Sequence, residues 1–167
     1  MAYQIIEQRV VSQPIAVTST TQASDIPLGT VVRAKDPTYG EGEFIYLLGV
    51  ASTVVGSVVT YDASTHQTVL SAVGGNIPRA VAIAMSANVA SQYGWYQIGG
   101  MAVVAKQCTV SLAAGAAVGV LSTGLIAGTG SGKEILGAAV AAVASATAGR
   151  TTVLVAVNRP HKQGRIT

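Results

Sequence analysis

Between Phe44 and Gly132 the chain carries only three charged side chains, Asp62, Arg79 and Lys106. So long a neutral stretch cannot clothe a monomer with the usual surface, in which about a quarter of all residues are charged. Here 10% of 167 residues are charged and 50% are hydrophobic. One core of ordinary size accommodates a chain of this length, so a single domain is expected. Neutral or apolar surface must then stay outside the folded protomer, and contiguous patches of that kind mark protein interfaces. Self-association is the first expectation.

A membrane would also absorb apolar surface, but the pattern argues against it. The longest uncharged stretch, Gln107 to Gly132, is interrupted by Thr109, Ser111, Ser122, Thr123 and several glycines, which makes a poor spanning helix. An outer-membrane barrel needs aromatic girdles, whereas the chain has six tyrosines, one Phe and one Trp. Met1 to Gln13 contains Glu7 and Arg9 where an export signal has an apolar core. The chain is therefore expected to be made in the cytoplasm and not exported, which the single Cys108 fits.

Strand signals follow one another at short spacing: Thr30–Ala34, Glu43–Leu48, Val54–Tyr61, Thr68–Ala72, Ala80–Met85, Trp95–Ile98, Ala102–Ala105, Thr109–Leu112, Val118–Leu121 and Thr151–Val157. β-Branched and aromatic residues dominate them. Turn chemistry separates them, as in Asp36-Pro37-Thr38-Tyr39-Gly40, Asp62-Ala63-Ser64-Thr65 and Ser122-Thr123-Gly124. This pattern predicts an all-β fold, a β-sandwich or small β-barrel of short antiparallel strands.

Three segments stand apart. Residues 1–26, rich in Gln, Ser and Thr with Pro14, read as an extended N-terminal arm ahead of a β domain at 27–160. Within the arm Ile5, Ile6, Val10, Val11, Ile15 and Val17 offer apolar contacts to a partner surface or a neighbouring subunit. Ile135 to Ala148 allows one short Ala-rich helix, since Leu136, Val140 and Val143 share a helical face. An internal echo favours a strand: Arg79–Ser86, a small-residue turn and Trp95–Ile98 resemble Ile135–Ala142, a turn and Thr151–Val157. Residues 161–167 form a basic tail, because every charge after Glu134 is positive: Arg150, Arg159, Lys162 and Arg165. Of these, Arg159, Lys162 and Arg165 are candidate contacts to acidic protein surface or nucleic acid.

Chemistry-bearing motifs are few. Gly128-Thr129-Gly130-Ser131-Gly132-Lys133 superficially resembles a phosphate-binding loop. The first required glycine falls at Ala127, however, and Glu134 stands where a magnesium-binding hydroxyl is needed. Acid–base or nucleophilic catalysis has only His66, His161, Cys108 and seven carboxylates to draw on, and Asp62 with His66 reads as a polar hairpin tip. The two histidines and one cysteine lack metal-ligand spacing. Tyr93-Gly94-Trp95-Tyr96 has no Lys or Arg between Arg79 and Lys106, so the electrostatic part of nucleic-acid binding is absent there. Alternation puts Trp95 and Gln97 on one face and Tyr96 and Ile98 on the other, one covered by core and one available to a neighbour. Tyr93, Trp95 and Tyr96 are thus candidate interface residues.

Several runs together resemble the capsid decoration (cement) proteins of tailed bacteriophages. They are Pro78-Arg79-Ala80-Val81-Ala82-Ile83-Ala84, Tyr93-Gly94-Trp95-Tyr96-Gln97-Ile98-Gly99-Gly100, and Ala114-Gly115-Ala116-Ala117-Val118-Gly119 followed by Ser122-Thr123-Gly124-Leu125-Ile126. The closing run Thr152-Val153-Leu154-Val155-Ala156-Val157-Asn158-Arg159-Pro160-His161 completes the resemblance, which spans roughly residues 29–161. It implies a homo-oligomer, commonly a trimer, on the outer surface of the virion head where major capsid subunits meet. It implies no catalytic residue, cofactor or metal, and no small-molecule, nucleic-acid or membrane partner. A phage tail, fibre or receptor- or carbohydrate-binding virion domain is the alternative, and it would use exposed Trp95 and tyrosines.

Overall fold

The computed structural model describes residues 4–5, 12–73 and 78–164. Among them the protein is all-β, with eleven strands: β1 (Gln4–Ile5), β2 (Val31–Asp36), β3 (Gly40–Leu48), β4 (Val58–Tyr61), β5 (Thr68–Leu70), β6 (Ala80–Ala84), β7 (Tyr93–Cys108), β8 (Ala117–Val120), β9 (Ile126–Gly128), β10 (Glu134–Val140) and β11 (Thr147–Lys162). One turn of 3-10 helix spans Ser122–Gly124. The Ala-rich stretch is not a helix: it forms β10 and the turn into β11, antiparallel partners like β6 and β7.

Two strands are far from short, since β7 and β11 each run sixteen residues. They hold the architecture together. The first half of β7 pairs with β3 on one side and β6 on the other, and its second half pairs with β11. Pairing thereby closes into two circuits that share β7. One runs β7–β9–β8–β10–β11, with a single parallel register pair, Lys106 with Ile126, as the link between β7 and β9. The other runs β3–β7–β6–β4–β5 and is closed by a bridge between Leu48 and Gln67.

β7 bends where it passes from one circuit to the other. Glu43 faces Gly99 while Phe44 faces Gln97, so Ile98 is an extra residue that kinks the strand. Gly100 follows at φ +91°, and a Cβ there would lie 2.4 Å from the Glu41 carbonyl oxygen. Only glycine fits that approach.

Strand alternation fills each circuit. Ala102 and Val104 of β7, Val118 and Val120 of β8, Val140 of β10 and Val153, Val155 and Val157 of β11 pack inside the first. The void among them is only about 10 Å³, too small for a ligand. Ile45, Leu47, Val59, Ala82, Ala84, Tyr96 and Ile98 fill the second. A third cluster lies on the opposite face of β2, β3 and β7 and joins Val32, Ala34, Phe44, Tyr46 and Trp95 to Ile15 and Ile26.

That third cluster places residues 12–26 of the N-terminal segment against the protein's own sheet. Ile15 and Ile26 are buried, and Gln13 is anchored by its side chain. The Tyr46 hydroxyl donates to Gln13 Oε1 at 2.6 Å, Gln13 Nε2 donates to the carbonyls of Val17 and Tyr93, and Trp95 Nε1 donates to the Gln13 carbonyl at 2.9 Å. Residues 12–26 are thus the lid of their own sheet, because a face carrying Phe44, Tyr46 and Trp95 must be covered by something apolar. At the other end, β11 extends through Lys162, so residues 161–162 belong to the sheet and not to a tail.

Candidate interface

The outward side of the first circuit is built from the residues that alternate with its core. Two rows cross three strands there. Ala139 of β10 faces Ala156 of β11, which faces Met101 of β7, and Leu154 faces Val103 while accepting the backbone N–H of Ala141. Ala156 is exposed and the other five are half-buried. These six neutral side chains, three of them Ala, form an uncharged apolar block, since every second position of each strand points outward.

Beyond the block lies a row of Asn158, Gly99 and Glu43. A groove between β3, β7 and β11 opens there, lined by Arg33, Glu41, Glu43, Gly99, Gly100 and Arg159 among others. Arg33 pairs with Glu41, and Arg159 pairs with Glu43 at 3.2 Å, so two cations and two anions gather at one rim. Their positions follow from register: Arg33 stands across from Glu43 on β2 and β3, and Lys35 across from Glu41. Arg159 has φ +43°, a conformation rare for a side chain other than Gly, opposite Gly137 at φ +76°. At this point the register of β10 and β11 shifts.

The residues singled out from sequence fall into four groups. Trp95, Tyr96 and Ile15 are fully buried inside the protomer, which corrects their assignment as contact residues. Their aromatic and aliphatic bulk serves the core, as strand alternation on a twice-covered sheet requires. Lys162 is also buried, with Nζ donating to the Ala72 carbonyl at 2.8 Å, so it is not a free tail charge. Val17 and Arg159 are exposed and Tyr93 is half-buried. Ile5 lies in β1, while Ile6, Val10, Val11 and Arg165 lie outside the described residues.

Several titratable groups are held in structural contacts. Asp62 Oδ1 accepts the Ser64 hydroxyl and the backbone N–H groups of Ser64 and Thr65, and these bonds, the hydroxyl foremost, hold its carboxyl well below the usual range. Burial pushes the Tyr96 hydroxyl up to about 12, and it accepts from Asn88 Nδ2 at 2.7 Å. Lys106 is buried with Nζ on the Ser145 carbonyl. The glycine-rich run to Lys133 is the turn between β9 and β10, where Lys133 N–H donates to the Gly130 carbonyl and a strand, not a helix, follows. Among the described residues no three His, Cys, Asp or Glu side chains gather as a metal site, and no helix is long and apolar enough to cross a membrane.

Sequence reasoning missed the six-residue block and the rim. The signal was present in the alternation of Ala102–Ala105 and Thr151–Val157, whose outward members are all uncharged. Compared with models of known protein families the chain matches none, and no curated protein is significantly similar to it.

Proposed function

We propose that this protein is a virion structural protein, a capsid decoration or cement protein that binds the outer surface of the major capsid lattice as a homo-oligomer, with a trimer favoured, and stabilises the head. The observation that carries this reading is the uncharged outward block of Met101, Val103, Ala139, Ala141, Leu154 and Ala156 on a filled all-β body. The resemblance of four sequence runs to decoration proteins gives it direction.

Magnitudes fit a repeated weak contact. Two inter-strand gaps span about 10 Å and two rows stand about 7 Å apart, so the block covers on the order of 100–200 Å². A stable pair needs about 800 Å² per partner. One such contact is weak, and a lattice that offers it many times supplies avidity.

The alternative, a tail, fibre or carbohydrate-binding virion domain, was to act through exposed aromatic rings. Trp95 and Tyr96 are buried, and among the described residues no aromatic side chain is fully exposed, which weighs against that form of it. The test is genetic and physical. Phage heads made without this protein are expected to open at lower temperature than complete heads, and added purified protein is expected to restore them. Undiminished heat resistance without the protein would overturn the proposal.

A further inference from the structure

We propose that the cleft between β11 and residues 142–147 binds an acidic peptide segment in extended conformation, whose main chain pairs with Thr152 and whose carboxylate meets the Lys106 ammonium. The cleft is a hollow of about 370 Å³, within the range of ligand-binding sites, and shares only Leu154 with the apolar block. Lys106, Val143, Ser145, Thr151, Thr152 and Val153 are among the residues that line it.

Charge selects the occupant. Lys106 is 1% exposed, and its Nζ donates to the carbonyl of Ser145 on the cleft wall. An ammonium carries three donors, so two remain. The ion pairs among the described residues, Arg33 with Glu41 and Arg159 with Glu43, do not include it. The sequence explains why. Asp62 is the only acidic residue between Phe44 and Gly132, its carboxylate is committed to Ser64 and Thr65, and no Asp or Glu follows Glu134. Strands β7 and β11 and the loop over them thus bury a cation with no acid of their own to match it. Withdrawing a charge from water is costly unless an opposite charge compensates it. A neutral segment in the cleft leaves the ammonium as it was and a basic one repels it, so an acidic one is preferred.

The backbone supplies the second contact. Thr152 stands across from Ala105, whose N–H donates away from β11 to the Gly56 carbonyl, so the Thr152 N–H and carbonyl likewise point away from β7. Two residues on, the Leu154 carbonyl takes the Ala141 N–H on that same side. β10 ends at Val140, opposite Val155, and residues 142–147 form the far wall of the cleft. At Thr152, therefore, β11 turns an open edge to the cleft, and such an edge accepts one more extended chain. Thr151 faces Lys106 across the ladder, so alternation brings every second side chain of a docked strand to the Lys106 side of the sheet. Val143, 73% exposed, offers apolar contact to the side chains between them.

Short capped peptides with one Glu between Val and Thr residues, and the same peptides with Gln instead, test this by NMR titration of the full protein. The Glu peptide is expected to bind at least about tenfold more tightly, to shift the Thr152 amide proton downfield and to shift the Lys106 side-chain signals. Lys106→Met keeps an apolar stem and removes a lone buried charge, so it should fold at least as stably and bind the two peptides alike. Equal binding of both peptides to the wild type, or no saturable binding at millimolar peptide, would overturn the proposal. An unmoved Thr152 amide, or a Lys106→Met protein that keeps the preference for Glu, would do the same. Acetate as effective as the Glu peptide would rule out the peptide as occupant and leave a site for small anions.

Discussion

Replacing Gln13 with Ala removes the polar staple that holds residues 12–26 over Tyr46 and Trp95. The side chain donates to the Val17 and Tyr93 carbonyls at 2.8 and 2.9 Å and accepts from the Tyr46 hydroxyl at 2.6 Å. The Tyr93 carbonyl keeps a second donor in the Ser19 N–H, and Val17 lies near solvent. Tyr46, with no exposed surface, keeps the backbone hydrogen bond from Ala23 but loses the acceptor for its hydroxyl proton. Each of the three lost neutral bonds costs about 0.5–1.5 kcal/mol, so the sum is about 3 kcal/mol. For a domain of this size that lowers Tm by about 6–12 °C. Trp95 is the one tryptophan, and its bond to the Gln13 backbone carbonyl survives the substitution, so its fluorescence reports urea unfolding in both proteins. Val17→Ala, at a half-exposed position, serves as the control and should stay within about 0.5 kcal/mol. A Gln13→Ala variant as stable as that control would refute the assignment of this segment to the domain's own core.

Two further outcomes follow from the bend and from burial. Gly100→Ala places a Cβ 2.4 Å from the Glu41 carbonyl oxygen at φ +91°, and thermal unfolding should register a loss of more than about 2 kcal/mol. Tyr96 ionises near 12 in the folded protein against about 10 unfolded, so the folded state holds its proton longer. Its contribution is whole below pH 10 and is lost as pH rises to 12, about 3 kcal/mol in all. Urea titrations across that range should show the decline, and Tyr96→Phe should reduce it, leaving the part due to Tyr46 and Tyr61, whose hydroxyls burial also raises.

The sequence made the core of the fold legible where alternation was uninterrupted. Trp95 to Ile98 reads correctly as a strand whose two faces are both covered, though the second cover is the protein's own β4, β5 and β6 and not a neighbour. The echo between 79–98 and 135–157 correctly favoured strands over a helix. Breaks were misread where glycine bends a strand without ending it: Gly99 and Gly100 divided β7 into separate signals, yet hydrogen bonding continues through them. Thr109–Leu112 carries strand-like residues but contributes only a bridge from Leu112 to Ala144. Residues 12–26 show no period because they cover the sheet as irregular chain, with Gln13, Ile15, Ala23 and Ile26 turning inward at uneven spacing. The rim depends on register across β2, β3, β7 and β11, residues up to 116 positions apart, which no local pattern encodes.

Co-sedimentation of the purified protein with heads that lack it tests the central claim most directly, with Ala156→Arg run beside the wild type. Ala156 is exposed at the centre of the outward rows, between Ala139 and Met101, so the substitution leaves the protomer folded and sets a charge in the block. The account predicts saturable binding of the wild type and at least tenfold weaker binding of a normally folded Ala156→Arg protein. Wild-type protein that stays in the supernatant, or a variant that binds equally well, would contradict it.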